Sequence, residues 1–251
     1  MRPLLSTGSV TRYPEFPDPL RILEHELQVE LELSIQGRAW SEAVIEDLAG
    51  LPIVTAHAEK SIGATLSGDE PAFERFEINC RIAHGLGAQL IVLHFWELPD
   101  GDRYLERNLS RLPVLLDTAE QHGLTLAVET IPCSVGTPVD NVARACEYDA
   151  RCRVTLDTEF LALHDQLDRA GGLGDRIAHV HAKDYDPEVW AAKPWNRWLI
   201  PGEGTVDVES FISSLPFEGT VALEASAVRE DGSVDEARLE KCLAWLHTLN
   251  A

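Results

Sequence analysis

TLAVETIPCSVGTPVDNVARACEYDARCRVTLDTEFLALHDQLDRAGGLGDRIAHVHAKD, residues 125–184, contains three short apolar runs, each closed by acidic or imidazole side chains. The runs are TLAVETI (125–131), RVTLDTEF (153–160) and IAHVHAKD (177–184). Between them, apolar residues recur at helical spacing, and Gly-Gly-Leu-Gly at 171–174 stands just before the third run. There it reads as a helix stop rather than a phosphate cradle. Strand-like runs that are apolar on both faces and alternate with helices specify a parallel sheet covered on both sides.

The pattern extends in both directions from this segment. LLSTGSV (4–10), QVELELSI (28–35), PIVTAHAE (52–59) and AQLIVLHFW (88–96) precede it, and TVALEAS (220–226) follows, which brings the strand candidates to eight. Helix candidates include Pro71 to Gly85, Arg103 to Gly123 and Asp235 to Leu249, with Gly87 and Gly123 placed to end helices before the next strand. The first helix slot, Pro17 to Glu26, is short. An open dinucleotide-binding sheet would carry G-x-G-x-x-G after its first strand, and that motif is missing. Eight βα units in 251 residues predict an α/β protein, a (β/α)8 TIM barrel forming a single domain over 1–251.

Composition narrows the function classes. Acidic residues number 42 against 21 basic, a formal charge of −21. A field of that sign repels polyanions, so no nucleic-acid partner and no anionic membrane surface is expected. An anionic substrate would need a local exception. The N-terminal MRPLLSTGSVTRYP has no long apolar core, and no stretch reaches the roughly 18–20 apolar residues of a membrane helix, which predicts a cytoplasmic protein. Cys80, Cys133, Cys146, Cys152 and Cys242 are odd in number and form no C-x-x-C pair, which suits reduced thiols.

In a TIM barrel the reacting groups stand at the C-terminal ends of the strands. The side chains there are His57, His94, Glu129, Asp157, His179, His181 and Glu224. Buried carboxylates from several strands require a compensating cation, so their convergence predicts one bound divalent metal. His179 and His181 are two apart and share one strand face, so both can point inward. Three carboxylates and one imidazole make a hard, oxygen-rich donor set that favours Mn, Mg or Co, with Zn also within range. Trp96, Trp190, Trp195 and Trp198 follow the fourth and seventh runs, where aromatic faces can close a pocket for a small-molecule carbohydrate or polyol, or form a homo-oligomer contact.

AVETIP, TLDTEF, HVHAKD, NRWLIPGEGTVD and VALEAS, in that order, resemble the signature of the xylose isomerase-like barrel superfamily, and specifically its sugar phosphate isomerase/epimerase members. The resemblance implies that Glu129, Asp157, His181 and Glu224 bind the metal. Asn196-Arg197 resembles the family's Asn-Arg, whose Arg lies near substrate oxygens, although the spacing to Pro201 is longer here. One position departs from the pattern. Relatives often carry Asp-x-x-His on the sixth strand, whereas Phe160 stands at that spacing from Asp157.

These residues lead to a metal-dependent sugar or sugar-phosphate isomerase or epimerase, working by proton transfer through a metal-stabilised enediolate. Glu129 and Glu224 are the expected acid/base pair. His57, His94, His179, Lys183, Arg197 and Trp96 are expected to contact substrate. Three alternatives remain at this stage: an inosose-type dehydratase on the same site, an endonuclease IV-like phosphodiesterase, and a non-catalytic metal- or polyol-binding barrel. The phosphodiesterase would need the sixth-strand His and a further Asp-x-His after the seventh strand; Phe160 replaces the first, and no His lies between His181 and His247.

Overall fold

The eight apolar runs pair edge to edge in the order of the sequence. The computed structural model of the protein describes residues 1–11, 27–35, 40–68, 72–193 and 198–249. Its strands are β1 (Arg2–Ser6), β2 (Leu31–Ser34), β3 (Ile53–His57), β4 (Leu90–Leu93), β5 (Thr125–Glu129), β6 (Arg153–Asp157), β7 (Ile177–Ala182) and β8 (Thr220–Leu223). They close as a barrel in the order β1 to β8, and β8 returns to β1. Every pairing is parallel. Seven of the eight runs predicted from sequence contain one of these strands, and the first, 4–10, overlaps β1, which begins two residues earlier at Arg2, so the predicted (β/α)8 architecture is the observed one. The helix slot at Pro17 to Glu26 lies outside the described residues.

The large apolar core lies between the strands and the surrounding helices, with Phe76, Leu116, Val142, Leu156 and Val221 among its fully buried members. Inside the barrel the side chains form a floor. Leu4 shares a strand face with Ser6, Val92 with His94, Ala127 with Glu129 and Ala222 with Glu224, so apolar groups lie beneath the polar ones that crown the strands. The site therefore rests on a packed base rather than over an open channel.

The helix expected over Arg103 to Gly123 is interrupted. Helical turns at Leu105–Leu109 and Leu112–Gln121 are separated at Ser110 and Arg111, and Pro113 stands in the first turn of the second. A proline ring lacks the N–H that would continue a helix but fits its first turn, which explains the break. Gly123 then takes φ +68 and ends the helix, as its position before β5 suggested.

The helix Ser61–Leu66 is seated tightly against the end of β4. A Cβ on Gly63 would lie 2.4 Å from the His94 carbonyl oxygen and 2.7 Å from that of Trp96. Backbone atoms cannot rotate away. Gly63→Ala is therefore expected to lose about 1–3 kcal/mol in denaturant unfolding, whereas Gly171→Ala, with nothing within 4 Å of the new carbon, should match the parent protein.

Candidate metal centre

Parallel register brings the strand ends to one level. Asp157 pairs with His181 across β6 and β7, and His181 with Ala222 on β8, two residues before Glu224. Glu129 ends β5. One donor atom from each of Glu129, Asp157, His181 and Glu224 lies within 4.8 Å of the others. Ligand bonds of about 2.0–2.2 Å place donors on opposite sides of an ion up to about 4.4 Å apart, so a small contraction would enclose one. The four residues singled out from the sequence as ligands are thus brought together.

Their bonds show how each is held. Glu129 Oε1 lies 2.7 Å from His181 Nδ1, while Oε2 faces His57 Nε2 at 3.2 Å and His94 Nε2 at 2.8 Å. Asp157 Oδ1 accepts the Phe160 N–H at 3.0 Å and so caps the following helix, Thr158–Leu163. Its Oδ2 is 2.5 Å from Lys183 Nζ, in a geometry too bent for a hydrogen bond, which leaves that oxygen a lone pair. Glu224 Oε2 accepts from Lys183 Nζ at 2.8 Å and lies 3.6 Å from His181 Nδ1.

Electrostatics favours a cation here. Burial alone would raise the Glu129 carboxyl, but the neighbouring His181 and His94 outweigh it and hold it well below its usual range. Burial likewise opposes ionisation of Glu224, and His181, Lys183 and Lys60 together hold it at about 2. Asp157 goes the other way: burial pushes it up to about 6 despite the nearby Lys183. Burial also keeps His94 low, at about 4, so its ring is neutral at physiological pH. The buried carboxylates Glu32, Glu129, Asp157 and Glu224 exceed the cationic side chains set among them, His181 and Lys183. A divalent ion fits both that imbalance and the donor set.

Glu32, on β2, is a central residue that strand-end reasoning missed. It is fully buried; Oε2 accepts from His181 Nε2 and from Thr55 Oγ1, each at 3.2 Å, and approaches His179 Nε2 off-axis at 2.9 Å. With Nε2–H directed at Glu32, His181 presents Nδ1 to Glu129 and Glu224. The signal for it lay in QVELELSI. In a barrel strand buried on both faces, an acid in mid-run must point inside and find a partner.

The remaining candidates separate into groups. His57 is fixed by its Nδ1 contact to the Ala58 carbonyl at 2.6 Å and lines a cleft above the donors. His179 Nδ1 meets Thr220 Oγ1 at 2.6 Å, below the cleft. Lys183 is buried between Asp157 and Glu224, with its ammonium 4.7 Å from the centre of the Phe160 ring. Phe160 therefore sets an aromatic ring beside Lys183 at the position where the resemblance implied an imidazole. Trp96 has no exposed surface, and its indole N–H donates to the Pro132 carbonyl at 2.9 Å, so it ties two strand-end loops together away from the cleft lining. Arg197, with Asn196 and Trp195, lies outside the described residues.

Two further acids organise the surroundings. Asp184, after β7, accepts the backbone N–H groups of Tyr185, Gly202, Gly204 and Val206 at 2.8–2.9 Å, which folds the Pro201–Gly204 segment over the barrel mouth. Asp102 accepts those of Ser134, Val135 and Gly136 at 2.8–3.0 Å and anchors the loop that follows Glu129. Burial opposes the Asp102 charge, but these donors outweigh it and lower its pKa. A carboxyl lowered in the folded state stabilises the fold above its unfolded value, near about pH 4, and loses that contribution as pH falls through the folded value. Asp102→Asn should therefore cost about 1–3 kcal/mol at neutral pH. Melting curves of parent and variant should converge in strong acid; a gap that persists there would refute this role.

Glu159 was also not foreseen. It is 2% exposed, Oε2 has no hydrogen-bond partner, and burial pushes its carboxyl up to about 8. The cleft itself is open to solvent and is lined by Ser6, Ser34, His57, Lys60, Trp198 and Glu224.

The model of the xylose isomerase-like TIM barrel family matches residues 38–249. No curated protein matches the chain significantly. Solved structures do. The 3-keto-D-glucoside 4-epimerase of E. coli is 18% identical, with 99% of each chain covered and a TM-score of 0.65. D-allulose 3-epimerase from Methylomonas sp., in complex with D-allulose, is 14% identical over 97% of this chain and 89% of its own, with a TM-score of 0.65. A probable 3-DHS dehydratase involved in petrobactin synthesis in Bacillus anthracis is 17% identical, covering 96% and 98%, with a TM-score of 0.65. At such identities the likeness establishes the shared fold.

Proposed function

The chain belongs to the xylose isomerase-like TIM-barrel family, and from that premise we propose that it is a metal-dependent sugar isomerase or epimerase. The observation that carries this reading is the convergence of Glu129, Asp157, His181 and Glu224 within 4.8 Å at the mouth of the barrel. Sugar epimerases among the structural neighbours support it. These four residues would hold one divalent ion, with Mn, Mg and Co favoured by the oxygen-rich donors. When bound, such an ion supplies positive charge to the carbonyl and hydroxyl oxygens on which electron density accumulates as a neighbouring C–H bond is broken.

The protein's own groups do the remaining work. Glu224 both belongs to the ligand set and lines the cleft, so its carboxylate can reach a substrate carbon and remove the proton. In an isomerisation Glu224 returns its proton to the neighbouring carbon; in an epimerisation Glu129, entering from β5, delivers to the opposite face a proton it has first drawn from water, and Glu224 releases its own to water. His57 lies on the cleft wall with Nδ1 on the Ala58 carbonyl and Nε2 on Glu129. Neutral His94 and the ring of His57 fix the Glu129 carboxylate from two sides. Lys183 holds Asp157 and Glu224 at a set separation. Trp198 and Phe160 limit water around the reacting carbons.

The reading is tested by incubating the metal-loaded protein with a panel of aldoses, ketoses and inososes in D2O. Carbon-bound deuterium without any added cofactor is expected, and chelation should stop its appearance. A second outcome, loss of water from the same intermediate, is favoured by the likeness to the dehydratase; an unsaturated or deoxygenated product would identify it. A panel that takes up no deuterium and gives no new product would contradict both.

A further inference from the structure

The cleft carries a cation that the proposed chemistry does not use. Lys60 follows β3 and lines the cleft beside Ser6, Ser34, Trp198 and Glu224. Its ammonium lies 5.4 Å over the centre of the Trp198 ring, and among the described residues no carboxylate comes within ion-pair distance of it. Two of the nearby acids are already engaged, and a third, Glu159, is kept largely uncharged by burial. Glu224 Oε2 is held by Lys183 at 2.8 Å, and the adjoining Glu59 is bound by Arg75 and by Asn79 Nδ2 at 3.1 Å.

A partly buried ammonium with no ion-pair partner among the described residues loses hydration and recovers only part of it from the more distant Glu224 charge. Neutral sugar hydroxyls do not need one, since hydroxyl and imidazole groups serve them. An anionic substituent does, and all the more in a chain whose formal charge of −21 repels anions at a distance. The cleft also offers Ser6, whose Oγ accepts the Gly8 N–H at 3.4 Å and so keeps its own O–H available to donate. A lysine, a serine hydroxyl and an aromatic face lining one cleft are groups suited to receive a carboxylate or phosphate. It lies in the same cleft as Glu224 and His57, within reach of a sugar whose reacting carbons sit at the metal centre.

We propose that the substrate is an anionic sugar, bearing a carboxylate or phosphate, and that Lys60 and Ser6 receive the charged group. This rests on the isomerase/epimerase reading for its chemistry but not for its binding. Metal-loaded wild-type, Lys60→Met and Lys60→Arg proteins are compared with D-fructose, D-fructose 6-phosphate and D-fructuronate, by deuterium exchange and by calorimetric binding. At least one anion should exceed fructose about 10- to 100-fold in kcat/KM and in affinity, and whichever does so separates phosphate from carboxylate as the source. That preference should collapse in Lys60→Met and survive in Lys60→Arg. Equal handling of neutral and anionic sugars, or a preference untouched by Lys60→Met, overturns the proposal. If no sugar exchanges deuterium, the enzymatic reading fails, and calorimetry still decides: anion binding lost in Lys60→Met supports the subsite, while no anion preference in wild type refutes it.

Discussion

Glu224→Gln is expected to lower deuterium exchange at carbon by about 10²- to 10⁴-fold in protein saturated with metal, while the fold persists. The amide has the shape of the carboxylate but cannot take a proton from carbon. The fold should tolerate the change because the ammonium of Lys183 keeps Asp157 as a partner at 2.5 Å. Metal content is measured alongside, since Glu224 also belongs to the ligand set. Glu224→Asp, which keeps the charge on a shorter arm, should recover part of the rate. Undiminished exchange in Glu224→Gln would remove Glu224 from the chemistry. Loss of the fold in Glu224→Gln but not in Glu224→Asp would assign the residue a structural role instead.

The second large effect is expected at Glu32, which is outside the four-residue donor set but forms a neighbouring donor group with His179 and His181. Its carboxylate takes the Nε2–H of His181 and so leaves Nδ1 to face the proposed ion. Carboxylates that orient a metal-bound imidazole in this way are worth about 10- to 100-fold in metal affinity. Glu32→Gln should weaken divalent binding by that factor in competition with a chromophoric chelator, and Glu32→Ala by more. The alanine variant should also lose about 1–3 kcal/mol of stability, because buried imidazole N–H groups are left without acceptors. An unchanged dissociation constant in both variants would show that His181 is oriented by other contacts.

The barrel was legible because both faces of each strand are buried, which turns TLAVETI and IAHVHAKD into nearly unbroken apolar runs that are hard to mistake. The converging ligands were legible for a related reason: at the end of such a run, a Glu, Asp or His stands out. Less visible was anything whose role depends on what lies across the barrel. Glu32 shares a face with Glu30 and Ser34 and alternates with Leu31 and Leu33, a pattern that also suits a strand with one solvent-facing side, and only closure of the sheet turns it inward. Lys60 lies beyond its strand, in a loop that periodicity does not describe. Trp96 shows the opposite problem. An aromatic residue after a strand suggests a pocket wall, yet its N–H needs an acceptor, and the Pro132 carbonyl draws it into the core. The interrupted helix before β5 was written in Pro113 but masked by the periodicity on either side.

Phe160 presents a phenyl ring to Lys183, with Glu159 buried and largely neutral beside it. On the proposed reading, the charged part of a substrate is received by Lys60 and Ser6, which line the cleft.

The most direct measurement is metal analysis of the purified chain after equilibration with Mn2+, combined with X-ray absorption of the bound ion. One ion per chain is predicted, with a single imidazole nitrogen and carboxylate oxygens at about 2.0–2.2 Å, and its loss in His181→Ala and in Asp157→Ala. A folded protein that binds no ion, or that holds one equally well after both substitutions, would contradict the metal centre.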